Sequence, residues 1–244
     1  MKNKNIFLIL VAISLLLPNI ADARRVQFPL DAATKEVISQ NQVEEEWDNR
    51  ANNREGVTTV MSNRYTSDEN LEFTKILQEE ILEILQERLE GKRVFEFGFG
   101  IGRMTSMLAE YANEVVGIDI SSEMLKRAAE NLSDYKNITL IHNQILNLNF
   151  PPKSFDLLFE CTVLIHILNQ ELLQQTVAKM KELSDTIVII EPKYYENTAI
   201  GNYTNTWPIE TYIELFSPYR LTTIKTIVAG DEYKIMIFEN PDTP

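Results

Sequence analysis

The chain has 244 residues, 44% of them hydrophobic, which suffices for one well-packed domain and falls short of two independent cores. With 36 acidic residues against 23 basic ones the formal charge is −13, so a phosphate backbone would be repelled and nucleic acid is not an expected partner. Cys161 is the only cysteine and His142 and His166 are the only histidines, which excludes an intrachain disulfide and a CxxC pair and leaves no metal site to be expected.

At the start of the chain, Lys2 and Lys4 precede the apolar run Ile6 to Leu17, and Pro18 then leads to Ala21-Asp22-Ala23. That is the order of a cleavable export signal over residues 1–23, which implies a secreted, periplasmic or secretory-pathway protein. The run is about half of the roughly 20 apolar residues that a spanning helix needs. The second reading is an uncleaved anchor that leaves the domain facing the cytosol, the only membrane contact expected.

Residues 24–66 read as an N-terminal extension. They are polar from Asp31 to Arg64, with the charged patch Glu44 to Arg50 and no sustained apolar period. Some helix is expected here, folded over a cleft as a lid. Residues 67–240 then carry the regular texture of one domain, and 241–244 a frayed tail.

Ser67 and Asp68 supply helix-start chemistry, and Leu71, Ile76, Ile81, Leu82, Leu85 and Leu89 recur at helical spacing until Gly91. Strands and helices then alternate: strand 93–97, helix 103–111, strand 114–118, helix 123–131, strand 138–142, strand 155–160, helix 170–183, strand 186–190 and a helix over 208–216. Alternation of this kind predicts an α/β fold with a parallel sheet built from right-handed crossovers. The last two strands, 221–228 and 233–238, are separated by only four residues, too few for a parallel crossover, so they are expected to pair as an antiparallel hairpin.

The chemistry is concentrated in Phe95-Glu96-Phe97-Gly98-Phe99-Gly100-Ile101-Gly102, a strand that runs into glycines and then a helix. Glycine permits the tight turn and a close ligand approach. Dinucleotide enzymes place G-x-G-x-x-G at the same corner, but here the third glycine comes one residue early and Arg103 fills the dinucleotide slot. Asp119 closes the strand Val115-Val116-Gly117-Ile118, 21 residues after Gly98, where a carboxylate accepts both hydroxyls of a ribose.

Together, Phe95 to Thr105 and the stretch Val115 to Leu125 resemble the class I methyltransferases that use S-adenosylmethionine. The likeness continues through Asn143 to Phe159 and Val163 to Ile167, and covers roughly residues 70–240. It implies a Rossmann-like, doubly wound sheet of seven strands, mostly parallel with an antiparallel last strand and helices on both faces. It also implies S-adenosylmethionine as cofactor and methyl transfer to an acceptor, read here as a small molecule.

Carried over residue by residue, the resemblance puts Gly98, Gly100 and Gly102 beside the methionine part of the cofactor. Asp119 falls on the ribose, Ile120 flanks the adenine, Ile145 follows Gln144 among the cofactor-binding residues, and Glu96 orients the amino group directly or through water. Gln144 stands where the family often has an acid near the adenine amine, and its amide oxygen can still accept a hydrogen bond. Glu160, at the end of the fourth strand with Cys161, is expected to face the crevice and touch the methionine moiety.

Several residues keep two readings. His166 is either a core histidine or the first candidate for a general base, with Glu160 second. Glu191 either holds a substrate amine or caps the next turn. Trp47, Tyr65, Tyr194, Tyr195, Tyr203 and Trp207 either surround a cationic or aromatic substrate or pack the lid, with residues 192–208 and the N-terminal extension roofing the pocket. The sequons at Asn131, Asn137 and Asn202 matter only in a eukaryotic secretory pathway. At the level of the whole protein the alternatives are a scaffold or carrier that kept the fold without catalysis, motivated by Gln144 and the export signal, and a nucleotide-cofactor oxidoreductase. The oligomeric state is not legible.

Overall fold

A computed structural model describes residues 40–194 and 203–243 of the chain. The export-type segment, Tyr195 and Asn202 lie outside the described residues. Among those described, thirteen helices and strands follow in order: α1 (Gln40–Asn53), α2 (Ser67–Leu89), β1 (Arg93–Phe97), α3 (Thr105–Tyr111), β2 (Glu114–Asp119), α4 (Ser122–Asn131), β3 (Ile138–His142), β4 (Leu157–Cys161), α5 (Gln170–Leu183), β5 (Thr186–Pro192), α6 (Ile209–Phe216), β6 (Arg220–Ala229) and β7 (Asp231–Glu239). None of the described helices is long and apolar enough to cross a membrane.

The seven strands form one sheet in the order β3-β2-β1-β4-β5-β7-β6. The first five pair in parallel, while β7 inserts antiparallel between β5 and β6. The sheet is therefore the mostly parallel, seven-stranded arrangement expected, with its last strand reversed. The strand order turns back between β1 and β4, and in open α/β sheets a ligand crevice opens at the carboxyl ends beside such a switch point.

Helix α2 is held to the sheet by Leu77, Ile81, Leu85 and Leu89, four residues apart and each at most 1% exposed. Burial of each contributes about 1.5–3 kcal/mol. They pack with Met107 and Leu108 of α3 against Val94, Val115, Leu157, Phe159, Val188 and Ile190, one face of the central strands. The intervening strand residues face the other way, where Phe216 of α6 stacks on Phe238 of β7 with ring centroids 4.4 Å apart.

Element ends differ from the sequence reading for local reasons. Helix α2 is capped by Thr66, one residue earlier than expected, in a reciprocal box: the Glu69 N–H donates to Thr66 Oγ1 at 3.2 Å and the Thr66 N–H to Glu69 Oε2 at 2.8 Å. Helix α3 begins at Thr105 because the glycine turn occupies Ile101 to Met104. Strand β4 begins at Leu157, since Asp156 spends its carboxylate on the Arg93 N–H at 2.8 Å and Phe155 makes only an isolated bridge to Ser184. Pro208 is the N-cap of α6 rather than its first helical residue.

Candidate functional site

At the carboxyl ends of β1, β2 and β4 lies a cleft whose empty space, open to solvent, is about 1100 Å³. Its floor is the turn after β1, where Gly98 and Gly100 have φ of +79° and +55°, a region in which a side chain is strained. A Cβ on Gly98 would collide with Val163, and one on Gly100 would come within 2.9 Å of Val60. The loop thus needs glycine for its own packing. Gly102 lies beneath the turn, against Leu132, and is not on the cleft wall.

Asp119 ends β2 with its carboxylate on the wall. Oδ2 accepts the Gly100 N–H at 2.8 Å and Oδ1 the Ser121 N–H at 2.9 Å, so the acid ties the glycine turn to the start of α4. Burial raises its pKa to about 6 against the pull of these backbone hydrogen bonds. A carboxylate oxygen can accept more than one hydrogen bond. Ile120, Met124, Asn143, Gln144 and Ile145 complete this end, with Gln144 at the N-terminus of a short turn over Ile145–Asn147. The Gln144 N–H donates to Asn143 Oδ1 at 2.9 Å.

The other end is walled by Arg103, Cys161, Thr162 and Val163. Arg103, which the sequence reading used only to exclude a dinucleotide site, is a half-buried cation whose Nη1 is buried without a hydrogen-bond partner. Its signal was present: a lone arginine directly after the glycines. Thr162 sits at φ +61°, rare for a β-branched residue, with its N–H on the Ile190 carbonyl at 2.8 Å. Such strain costs about 1–3 kcal/mol and gathers where a site dictates the backbone.

Glu96 is 2% exposed and lies behind this end rather than on the wall. Burial raises its pKa to about 7, Thr105 and Arg103 pull it down, and Asp119 pushes it up. Its Oε2 has no hydrogen-bond partner.

Glu160, expected to face the crevice, lies off the cleft wall. Strand alternation sends Phe159 and Cys161 to the α2–α3 side and Glu160 to the opposite face, fully buried and off the cleft wall. There its Oε1 accepts the N–H groups of Val163 and Leu164 and caps the turn Leu164–His166. Glu191 does the same for the Ile165 N–H at 3.1 Å.

Part of the N-terminal extension closes the cleft. Val43 and Trp47 of α1 and Val60 line it, and Asp48 fixes α1 by accepting the Ser121 hydroxyl at 2.5 Å and the Glu123 N–H at 3.2 Å. The edge of the Trp47 ring meets His166, centroids 4.9 Å apart. His166 lines the cleft and donates from Nδ1 to the Tyr203 carbonyl at 2.7 Å, which leaves Nε2 as an acceptor. Burial lowers its pKa to about 4, so the ring is neutral at ordinary pH.

The geometry therefore brings together Gly98, Gly100, Asp119, Ile120, Gln144, Ile145 and His166, and leaves Glu96, Gly102 and Glu160 off the wall. Residues 94–185 match the family model of a methyltransferase domain. Among curated proteins, the chain is 37% identical over 85 residues to phosphoethanolamine N-methyltransferase 3 of Arabidopsis thaliana, covering 34% of this chain and 17% of that protein. It is 36% identical over 84 residues to ribosomal RNA small subunit methyltransferase A of Clostridium botulinum, covering 33% and 30%. The chain thus spans less than a third of the length of either relative. The fold matches that of the N-methyltransferase NodS from Bradyrhizobium japonicum, solved in complex with S-adenosyl-L-homocysteine, with a TM-score of 0.66 and 16% identity over 82% of this chain and 98% of that one. Residues 94–185, which hold the glycine turn and the acid closing β2, thus match a methyltransferase domain, and the sheet has the fold of a solved N-methyltransferase.

Proposed function

We propose that this protein binds S-adenosylmethionine in the glycine-turn cleft and transfers its methyl group to a small-molecule acceptor. The observation that carries the reading is Asp119, a carboxylate on the wall whose position is fixed by the Gly100 and Ser121 N–H groups, beside a turn kept free of side chains. Asp119 would accept the two ribose hydroxyls, and Ile120, Gln144 and Ile145 would hold the adenine. The Arg103 guanidinium, with Nη1 unpartnered, suits the cofactor's carboxylate, and Glu96 would act on its amino group through water.

Bound there, the cofactor supplies an electrophilic methyl on a sulfonium. Held by Asp119, Ile120, Gln144, Ile145 and Arg103, it would offer that methyl to an acceptor's lone pair, the electron pair of the carbon–sulfur bond staying on sulfur. What the protein contributes is alignment and dryness: Trp47, Val43 and Val60 roof the cleft, and positioning two reactants supplies much of the rate enhancement. His166 Nε2, on the cleft wall, would take a proton leaving the substrate, and its low pKa makes it a weak base, suited to an acceptor that is already acidic. The net charge of −13 favours a small neutral or cationic acceptor over RNA.

Methyl-labelled S-adenosylmethionine offered with small amines, small acids and ribosomal RNA tests this reading. The expected result is label on a small molecule, with turnover flat between about pH 6 and 8 as far as His166 is concerned. Label on RNA alone would overturn the small-molecule assignment. If His166→Ala left turnover and its pH profile unchanged, the proton-acceptor role would be removed.

A further inference from the structure

Helix α1 roofs the cleft through Val43 and Trp47, and its attachments to the rest of the domain are uneven. Ala51 packs on Ile101 and Met124. Glu44 reaches His142 at 3.5 Å, but both side chains are about a third exposed or more, and a pair so placed contributes little. The Glu46–Arg50 pair lies within the helix itself. The firm polar attachment is Asp48, whose Oδ1 accepts both the Ser121 hydroxyl and the Glu123 N–H at the start of α4.

Ser121 is where that attachment meets the cofactor end of the cleft. It is fully buried and every one of its side-chain and N–H groups is spent. The N–H donates to Asp119 Oδ1 at 2.9 Å, the hydroxyl donates to Asp48 at 2.5 Å, and the hydroxyl oxygen accepts the Met124 N–H at 3.0 Å. Asp48 of the lid and Asp119 of the cleft wall thus hang on one residue. Lifting α1 strips an acceptor from the Ser121 hydroxyl and from an N–H of the first turn of α4, where a negative charge is favoured.

The chain just after α1 is pinned separately. Thr59 is fully buried and accepts Arg127 Nη1 at 3.1 Å, the Ser62 carbonyl accepts Asn70 Nδ2 at 2.9 Å, and Arg64 pairs with Asp231 at 2.6 Å. Between the lid and this pinned stretch stands Gly56, exposed and at φ +51°. A Cβ there would meet only Ser67 Oγ, 3.9 Å away, so the backbone and not the packing asks for glycine. An exposed glycine between a helix end and an anchored segment is a place where the helix can swing as a rigid body.

We infer that Asp48 is the latch of this lid: α1 swings about residues 54–56 to open the cleft, and the bond from Ser121 to Asp48 holds it shut. A second consequence rests on the proposed cofactor site. A ligand held by Asp119 beneath Trp47 leaves when α1 lifts, so the latch also sets how fast the demethylated cofactor is released. Asp48 is a positioning residue here, acting through Ser121 and touching no reacting atom.

The test of the latch needs no ligand. Trypsin cleavage of the whole chain after Arg54 reads lid opening, and cleavage after Arg93, in the central strand β1, reads global unfolding. Asp48→Ala is expected to speed cleavage after Arg54 by about tenfold or more and leave cleavage after Arg93 at the parent's rate. Asp48→Asn, whose amide oxygen can still accept both hydrogen bonds, should stay within about threefold of the parent. Arg64→Ala frees only the pinned stretch and should leave both cleavages unchanged. In a separate displacement experiment, S-adenosyl-L-homocysteine should leave Asp48→Ala about tenfold faster than the parent.

Parent-like cleavage after Arg54 in Asp48→Ala overturns the latch, as does equal acceleration at Arg54 and Arg93, or an Arg64→Ala variant that opens as readily. Homocysteine that binds both proteins and leaves them at one rate overturns the control of release. Homocysteine that binds neither is a failure of the cofactor reading, and the latch is then decided by the cleavage rates alone.

Discussion

Asp119→Ala is expected to lower affinity for S-adenosyl-L-homocysteine by about 100-fold or more. Hydrogen bonds to a charged acceptor contribute roughly 1.5–3 kcal/mol each, and two ribose hydroxyls would lose theirs. The same substitution frees the N–H groups of Gly100 and Ser121, so part of the loss would come from a looser turn. Asp119→Asn separates the two, since its amide oxygen can still hold one N–H while the charge is gone, and a loss of about tenfold is expected there. With the acid's pKa raised to about 6, the ionised acceptor is lost as pH falls through that value. Affinity should therefore rise from pH 5 to pH 7 in the parent and stay flat in the alanine variant, as read by calorimetry. An alanine variant that binds like the parent would remove Asp119 from the site.

The second large effect is on stability. Glu96 has a native pKa of about 7, raised by burial from an ordinary 4.5. Below pH 4.5 both folded and unfolded chains hold the proton, and the group contributes nothing to the pH dependence. Between 4.5 and 7 the native state keeps a proton that the unfolded state has released, so stability falls as pH rises. Above 7 the full cost is present, about 3 kcal/mol at 1.36 kcal/mol per pKa unit. Glu96→Gln removes this titration, and the variant is expected to be more stable than the parent by about 2–3 kcal/mol at pH 8 and to match it near pH 4. Urea unfolding at both pH values measures the difference, and an equal gap at the two would show that Glu96 is not held protonated by burial. A group kept at that cost behind the Arg103 guanidinium, itself short of one partner at Nη1, fits a site shaped for a ligand carrying both an amine and a carboxylate.

Much of the fold was legible because period and spacing dictate it. A helix packed on one side of a sheet needs a single apolar face, and Ile81, Leu85 and Leu89 provide one; the break read as four residues after Val228 was too short for a parallel crossover, and in the structure Gly230 alone separates the two strands. What spacing could not tell was where the hairpin docks: β7 rather than β6 pairs with β5, a choice made by which strand buries both faces. Strand β7 carries the buried run Ile235 to Phe238, whereas β6 alternates and tolerates the edge.

The site divided along the same line. Gly98, Gly100 and Asp119 stand at turn and strand-end positions that their residue types announce, whereas the role of Glu160 depended on the parity of β4. One residue's difference in strand register exchanges it with Cys161 between faces. The lid helix was under-read because its apolar stripe is narrow, only Val43, Trp47 and Ala51 at four-residue intervals among charged neighbours. Arg103 was visible, but nothing in sequence alone shows that a guanidinium nitrogen is left without a partner.

The most direct test of the central claim is calorimetric titration of the protein with S-adenosylmethionine and S-adenosyl-L-homocysteine. The account predicts saturable binding of both at a single site per chain. A folded protein that takes up neither would contradict it, and would leave the fold serving as a scaffold.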